Sequence, residues 1–302
     1  MEKHKKSTIY VNSIYGHIEA FENDLITDQI IRFGNHTRPD FSFALSPIDT
    51  DTKLFDLGAH VGTFSLPALA KLKDSSQILA LEGNPHTYSV LQRNIESKGY
   101  RNAYTLNTFL ANNNDYVYQE NTSNTGAGCL IARRGSESIN VDYVTLDELT
   151  KQFFTPDFIK IDIEGMEFSI LSNSDTIQES RPIIYMEVSK KGLSEHGHSA
   201  KDLDQFMKKL DYRFFVNIGD RNAKHDFFCV HEIRSLHTYK SFFDVLCVPV
   251  NSDKFLALRR TCHSRKIYFY NMPRRIVAQK SPVWLKTGIK TLLHSIHNKT
   301  ET

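Results

Sequence analysis

The sequence predicts an α/β protein built on a doubly wound, mostly parallel sheet. Three observations carry that expectation: apolar strand-like runs alternate with amphipathic helical ones from Lys53 to Val248, a glycine turn follows the first run, and a later run alternates strictly between isoleucine and charge. The 302 residues are 40% hydrophobic and 24% charged, which excludes wholesale disorder and supplies a sizeable core.

In order along the chain, residues 1–50 mix short apolar stretches with Pro39 and Pro47 and read as an N-terminal arm or cap. Lys53–Leu57 reads as a strand, Thr63–Lys73 as a helix, Gln77–Leu81 as a strand, and Thr87–Ser97 as a helix closed by Gly99. A strand over Tyr104–Leu110 and hairpin-like material to Val144 come next, then a strand over Phe158–Ile163 and a helix over Met166–Leu171. The pattern ends with a strand at Ile183–Val188, a helix at Lys201–Leu210, and strands at Arg213–Ile218, Phe227–Val230 and Phe243–Val248. Three regions result: an arm or cap at 1–50, a domain at 51–250 and a C-terminal extension at 251–302.

The extension differs in charge. From Arg259 to Thr302 there are ten Lys or Arg and one acid, Glu301, against 27 basic and 34 acidic residues before it. An acidic body with a basic tail suits a peripheral membrane or an acidic partner. Trp284, Leu285, Ile289, Leu292, Leu293 and Ile296 recur near helical spacing with Lys286 and Lys290 between them. That is the pattern of an interfacial helix, and equally of a terminal helix packed on its own domain. No run of some 18 apolar residues predicts a transmembrane helix. The charged first residues lack an apolar stretch behind them, so a cytoplasmic location without a cleaved leader is expected. Cys129, Cys229, Cys247 and Cys262 are too widely spaced for a structural metal and read as free thiols.

In a doubly wound sheet the ligand crevice lies at the carboxyl ends of the strands, so chemistry is sought just after them. The first strand ends in Asp56-Leu-Gly58-Ala59-His60-Val-Gly62. Gly58 permits a tight turn and Gly62 a close backbone approach, but the spacing is not that of a pyrophosphate cradle. Asp56 at the strand end suits a cation such as an amino acid ammonium. Glu82, in Ala80-Leu-Glu82-Gly83-Asn84-Pro85, suits the paired hydroxyls of a ribose. Together they outline a ligand with an amino acid end and a ribose end, which is S-adenosylmethionine. Asp56, Gly58, Ala59, His60, Gly62, Glu82, Gly83 and Asn84 are the expected cofactor-binding residues.

Phe158-Ile-Lys160-Ile-Asp162-Ile-Glu164-Gly165 puts Ile159, Ile161 and Ile163 on one face and Lys160, Asp162 and Glu164 on the other. Buried charge is costly unless paired or used. A structural Lys160–carboxylate bridge is one explanation; the other is that Asp162 and Glu164 emerge into the crevice, joined by Glu187 from the next strand. Asp162, Glu164 and Glu187 are the expected catalytic residues, as general bases or as oxygen ligands of a Mg²⁺ that would activate a hydroxyl.

At these residues the sequence resembles the FkbM family of S-adenosylmethionine-dependent methyltransferases. The matching pieces are Phe55–Ser65, Ala80–Pro85 with Asn94 downstream, Val144–Glu148, Asp157–Glu167 and Glu187, of which Ile161-Asp-Ile-Glu-Gly-Met-Glu167 is the most specific. The resemblance implies a class I methyltransferase, Rossmann-like sheet with six parallel strands and one reversed near the end. It implies O-methylation of a sugar hydroxyl on a glycan or glycolipid, or of a hydroxyl on a small natural product. Gly83 replaces the more usual Pro and His60 the more usual Asn. The polar segment 111–140 is expected to form a substrate lip. The alternatives are a methyltransferase of RNA ribose or other nucleic acid, which the basic tail motivates and the absence of an Asp/Asn-Pro-Pro-Tyr/Phe turn and of a Pro-Cys nucleophile disfavours, and a non-catalytic binding module on the same fold.

Overall fold

The computed structural model describes residues 6–113, 116–119, 128–132 and 142–262. The chain divides into compact units at 1–260 and 261–302. Only Thr261 and Cys262 of the second are described, so the amphipathic pattern over Trp284–Ile296 lies outside the described residues. Among the described residues, no helix is long and apolar enough to cross a membrane.

The chain opens with an antiparallel hairpin, β1 (Thr8–Ser13) and β2 (Gly16–Phe21), followed by α1 (Leu25–Phe33) and α2 (Arg38–Ala44). Three strand units come next: β3 (Lys53–Leu57) with α3 (Ser65–Lys71), β4 (Gln77–Glu82) with α4 (Pro85–Glu96), and β5 (Ala103–Asn107). Small pairings follow, β6 (Phe109–Leu110) with β9 (Tyr143–Val144) and β7 (Tyr116–Gln119) with β8 (Cys129–Ala132), and then α5 (Leu146–Gln152). The second half runs β10 (Phe158–Ile161), α6 (Glu167–Ser172), α7 (Asp175–Ser180), β11 (Ile183–Ser189), α8 (Lys190–Glu195) and α9 (Ala200–Lys209). It closes with β12 (Tyr212–Asn217), β13 (Val230–Ile233), β14 (Phe242–Pro249) and α10 (Asp253–Thr261).

Eight strands form one sheet in the order β13-β12-β14-β11-β10-β3-β4-β5. β5, β4, β3, β10 and β11 run parallel, and β14 is antiparallel to both β11 and β12. This is the class I methyltransferase arrangement, with one departure from expectation. A second reversed strand, β13, pairs with β12 at the edge, three residues beyond the run expected at Phe227–Val230. The order turns around at β3 and β10, which places the switch-point crevice at their carboxyl ends. Both strands are buried on both faces, through Leu54, Phe55, Leu57, Phe158, Ile159 and Ile161.

Other expected boundaries moved for local reasons. β10 stops at Ile161, because Glu164 and Gly165 adopt left-handed backbone (φ 56° and 103°) that no strand tolerates. The strand expected over Tyr104–Leu110 is two pieces, β5 and β6, which belong to different sheets. The helix expected from Thr87 begins at Pro85, since the Asn84 side chain caps it by accepting from the amides of His86 and Thr87 at 2.9 and 3.1 Å. Cys229 and Cys247 are buried and Cys262 is half-buried.

The N-terminal segment packs within the first unit rather than trailing from it. Asn94 of α4 is the joint: it accepts from the Glu19 amide at 2.7 Å and donates to the carbonyls of Glu19 and Val61 at 2.8 and 2.9 Å. One buried amide thus ties β2 to the glycine turn, and Arg93 fixes the Glu19 carboxylate beside it at 2.6 and 2.9 Å.

Candidate functional site

The turn after β3 is closed by backbone. Gly58 and Ala59 donate to the Leu81 carbonyl of β4 at 3.0 and 2.9 Å. Gly58 has φ 81°, and a Cβ there would stand 2.1 Å from the Asp162 carbonyl oxygen, so no other residue fits. The turn is also held from β10, where Lys160 Nζ donates to the Gly58 carbonyl at 2.6 Å.

A cavity of about 530 Å³ opens over this turn, within the range of small-molecule sites. Gly58, Ala59 and His60 line it, with Glu82 and Gly83 beside them. The Glu82 carboxylate is oriented by two amides, accepting from His60 at 3.0 Å and from Asn84 at 2.8 Å. Each oxygen keeps a lone pair for a further donor. Burial outweighs those amides and pushes Glu82 up to about 7. His60 has left-handed backbone (φ 50°), and burial pushes its imidazole down to about 4, so it is neutral at pH 7.

Next to Glu82 stands an aromatic wall. Phe109 and Tyr118 lie 5.0 Å apart between ring centres, and Leu130 lines the same cavity. A Cβ on Gly83 would come within 2.2 Å of the Phe109 ring, which explains glycine where the resemblance expects proline. The described part of segment 111–140 therefore borders the Glu82 end of the cavity. The rest of that expected lip lies outside the described residues.

Not every residue expected in the crevice reaches it. Asp56 is fully buried beneath the cavity, where Ser65 Oγ donates to it at 2.6 Å and Lys160 Nζ lies 3.4 Å away. The partners of Asp56 are thus internal, and it is not among the residues that line the cavity. Gly62 (φ 93°) packs the turn against Leu91 of α4, and Asn84 is the α4 cap, its Nδ2 donating to Tyr118 Oη at 3.1 Å.

The acids after β10 and on β11 do line the cavity: Asp162, Glu164 and Glu187. Asp162 stands 3.6 Å from Lys160, so the structural bridge and the crevice reading of the charged face hold together. Glu164 does not continue the strand alternation; the left-handed turn redirects it. That turn is braced by Glu167, buried, which accepts from the amides of Ile163 and Gly165 at 3.2 Å each. It is braced again by Gly165, whose Cβ would meet the backbone of Gly192 at 2.4 Å. Burial, with Asp162 and Glu167 nearby, pushes Glu164 up to about 8. Burial and the surrounding acids push Glu187 up to about 10. Among the described residues, no group of three or more His, Cys, Asp or Glu side chains is placed to hold a metal ion.

Further residues line the cavity without having been singled out from the sequence: Thr37, Phe41, Tyr185, Arg221, Phe242 and Asp244. Arg221 bridges two elements, 2.7 Å from Asp244 on β14 and 3.3 Å from Asp40 on α2. Burial raises Asp244 to about 7 against the Arg221 guanidinium. Tyr185 was findable, since it precedes Glu187 by two residues on one strand and shares its face. Asp244 was findable as the lone acid in an apolar strand. Thr37 and Arg221 sit in connections without periodicity and carry no sequence signal.

The family model for the methyltransferase FkbM domain matches residues 56–214, more than half of the chain. No curated protein matches it. Among solved structures, the chain is similar to a methyltransferase FkbM from Methylobacillus flagellatus KT at 18% identity, covering 66% of this chain and 44% of that one, with a TM-score of 0.39. It is similar to precorrin-6y C5,15-methyltransferase from Geobacter metallireducens GS-15 at 16% identity, 69% and 87% coverage and a TM-score of 0.40. It is also similar to M. jannaschii TYW2 in complex with AdoMet, at 16% identity, 81% and 86% coverage and a TM-score of 0.41. At such scores these likenesses carry no functional argument; the family match does.

Proposed function

The chain belongs to the FkbM methyltransferase family, whose methyl donor is S-adenosylmethionine, and we propose that it methylates a hydroxyl group on a glycan, a glycolipid or a small natural product. The observation that carries this reading is Glu164. A strained backbone delivers its carboxyl to the cavity. Its environment raises it to about 8, which makes it a base matched to neutral pH.

The cavity's residues suit the donor. Glu82 offers two oriented oxygens at the tip of β4 to a ribose diol, and Phe109 with Tyr118 offers an apolar wall to the base. Bound there, S-adenosylmethionine supplies an electrophilic methyl group. Gly58 and Ala59, pinned to Leu81 and Lys160, keep the turn beneath it from shifting. Glu164 takes the proton of the acceptor hydroxyl as that oxygen becomes nucleophilic, and Asp162 stays paired with Lys160 alongside.

Labelled methyl transfer from S-adenosylmethionine to fractionated cell glycans, RNA and protein tests the reading. Label in a glycan or small polyol fraction is expected. Label confined to RNA would replace the proposed acceptor class, and absence of transfer to every fraction would refute the activity.

A further inference from the structure

A second part of the cavity, formed by β11, β14 and α2, has polar groups that no described residue satisfies. Glu187 and Asp244 are direct cross-strand partners in the antiparallel pairing of β11 with β14, so their carboxylates share a face at neighbouring positions. Arg221 forms ion pairs with Asp244 and Asp40 and reaches Glu187 only through the field of its charge; among the described residues no ion pair is formed by the Glu187 carboxylate. Glu164 lines the same cavity.

An independent observation points to a ligand at this place. Tyr185, two residues before Glu187 on the same face, is 3% exposed, and its hydroxyl has no hydrogen-bond partner although it lines the cavity. Thr37, 2% exposed, presents a second unpartnered hydroxyl to the same cavity from the start of α2. Leaving such groups buried and unpaired is unfavourable, a cost that a bound polar molecule removes.

We propose that the acceptor is an amino sugar or comparable amino polyol, its ammonium held by Glu187 beside Asp244 and its hydroxyls met by Tyr185 and Thr37. This rests on the methyltransferase reading and narrows its acceptor class. An ammonium offers three donors and a positive charge that favours the ionised form of Glu187. A neutral sugar brings no such charge, and an anionic sugar would oppose that ionisation. Burial of Glu187 among acids pushes it up to about 10 in the protein without ligand, and a cation beside it would favour its carboxylate form.

The test is a ligand-observed NMR titration of the full chain saturated with S-adenosylhomocysteine at pH 7, with glucosamine, glucose and glucuronic acid as probes. Glucosamine is expected to bind at least about tenfold more tightly than glucose, with glucuronic acid weakest. Glu187→Gln is expected to remove most of that preference while S-adenosylhomocysteine still binds, which reports an intact fold. No saturable glucosamine binding, equal binding of glucosamine and glucose, or an unchanged preference in Glu187→Gln overturns the proposal. Exclusion of glucosamine by S-adenosylhomocysteine also overturns it, because the donor's own ammonium would then occupy the place. If Glu187→Gln fails to fold, the wild-type order of the three sugars decides alone. Failure of the wild-type chain to bind S-adenosylhomocysteine would instead refute the methyltransferase reading, a separate outcome.

Discussion

Lys160 on β10 donates to the Gly58 carbonyl at 2.6 Å while standing 3.4 Å from the Asp56 carboxylate on β3. The glycine turn is therefore anchored by the neighbouring strand as well as by its own. Both partners of the ion pair are buried, and burial of Asp56 raises its carboxyl while the lysine beside it opposes that rise. Replacing Lys160 by Met leaves Asp56 as an uncompensated buried charge and the Gly58 carbonyl without its donor. Denaturant unfolding should show a loss of about 3–5 kcal/mol, and Asp56→Asn in the same chain should recover part of it. A loss below about 1 kcal/mol would show that the pair does not hold the turn.

Stability should fall as pH rises through the neutral range in the protein without ligand. Glu82, Glu167 and Asp244 titrate near 7 and Glu164 near 8 when folded, all above their unfolded values, because burial penalises the charged form. The folded state therefore binds more protons than the unfolded one across this window, and raising the pH withdraws stability. His36 and His60, pushed down to about 3 and 4, act oppositely, but only below about pH 6.5, where unfolded histidine takes up its proton. Thermal denaturation at pH 6.5 and 8.5 should differ by at least about 3 °C, with the lower pH more stable. Equal midpoints would count against the burial of these acids.

Glu164→Gln should lower kcat by about 10²- to 10⁴-fold with little change in S-adenosylhomocysteine affinity. The wild-type rate should rise with pH as Glu164 loses its proton near 8, and the variant should lose that limb. Wild-type turnover in Glu164→Gln would move the base to Asp162 or Glu187.

The close approach of Phe109 to Gly83 gives a test of the aromatic wall. Gly83→Ala would force the Phe109 ring aside, since the new Cβ falls 2.2 Å from it. S-adenosylhomocysteine affinity should fall about tenfold by calorimetry, and adding Phe109→Leu should cost less than the two changes separately. Strict additivity would mean that the two positions do not meet.

The periodic parts of the molecule were legible in the sequence. The α/β alternation, the turn Asp56–Gly62 and the motif Asp157–Glu167 all write their signals within about ten residues, the length over which strand and helix periods act. The N-terminal segment was not legible as part of the fold, because β2 is held by Asn94, 75 residues away. The burial of Asp56 was not legible for a related reason. Its position at a strand end is local information, whereas its burial depends on Lys160 and Ser65 arriving from other elements.

By itself the sequence determined the sheet's building units, the glycine turn and the acids that crowd one edge. Only the tertiary structure decided which acids face the cavity, that Glu164 arrives there through a left-handed turn, and that Asp244 comes opposite Glu187. The physical reason is that periodicity encodes which face a side chain takes, but strand pairing sets what stands across from it, and pairing joins residues that the chain order keeps far apart.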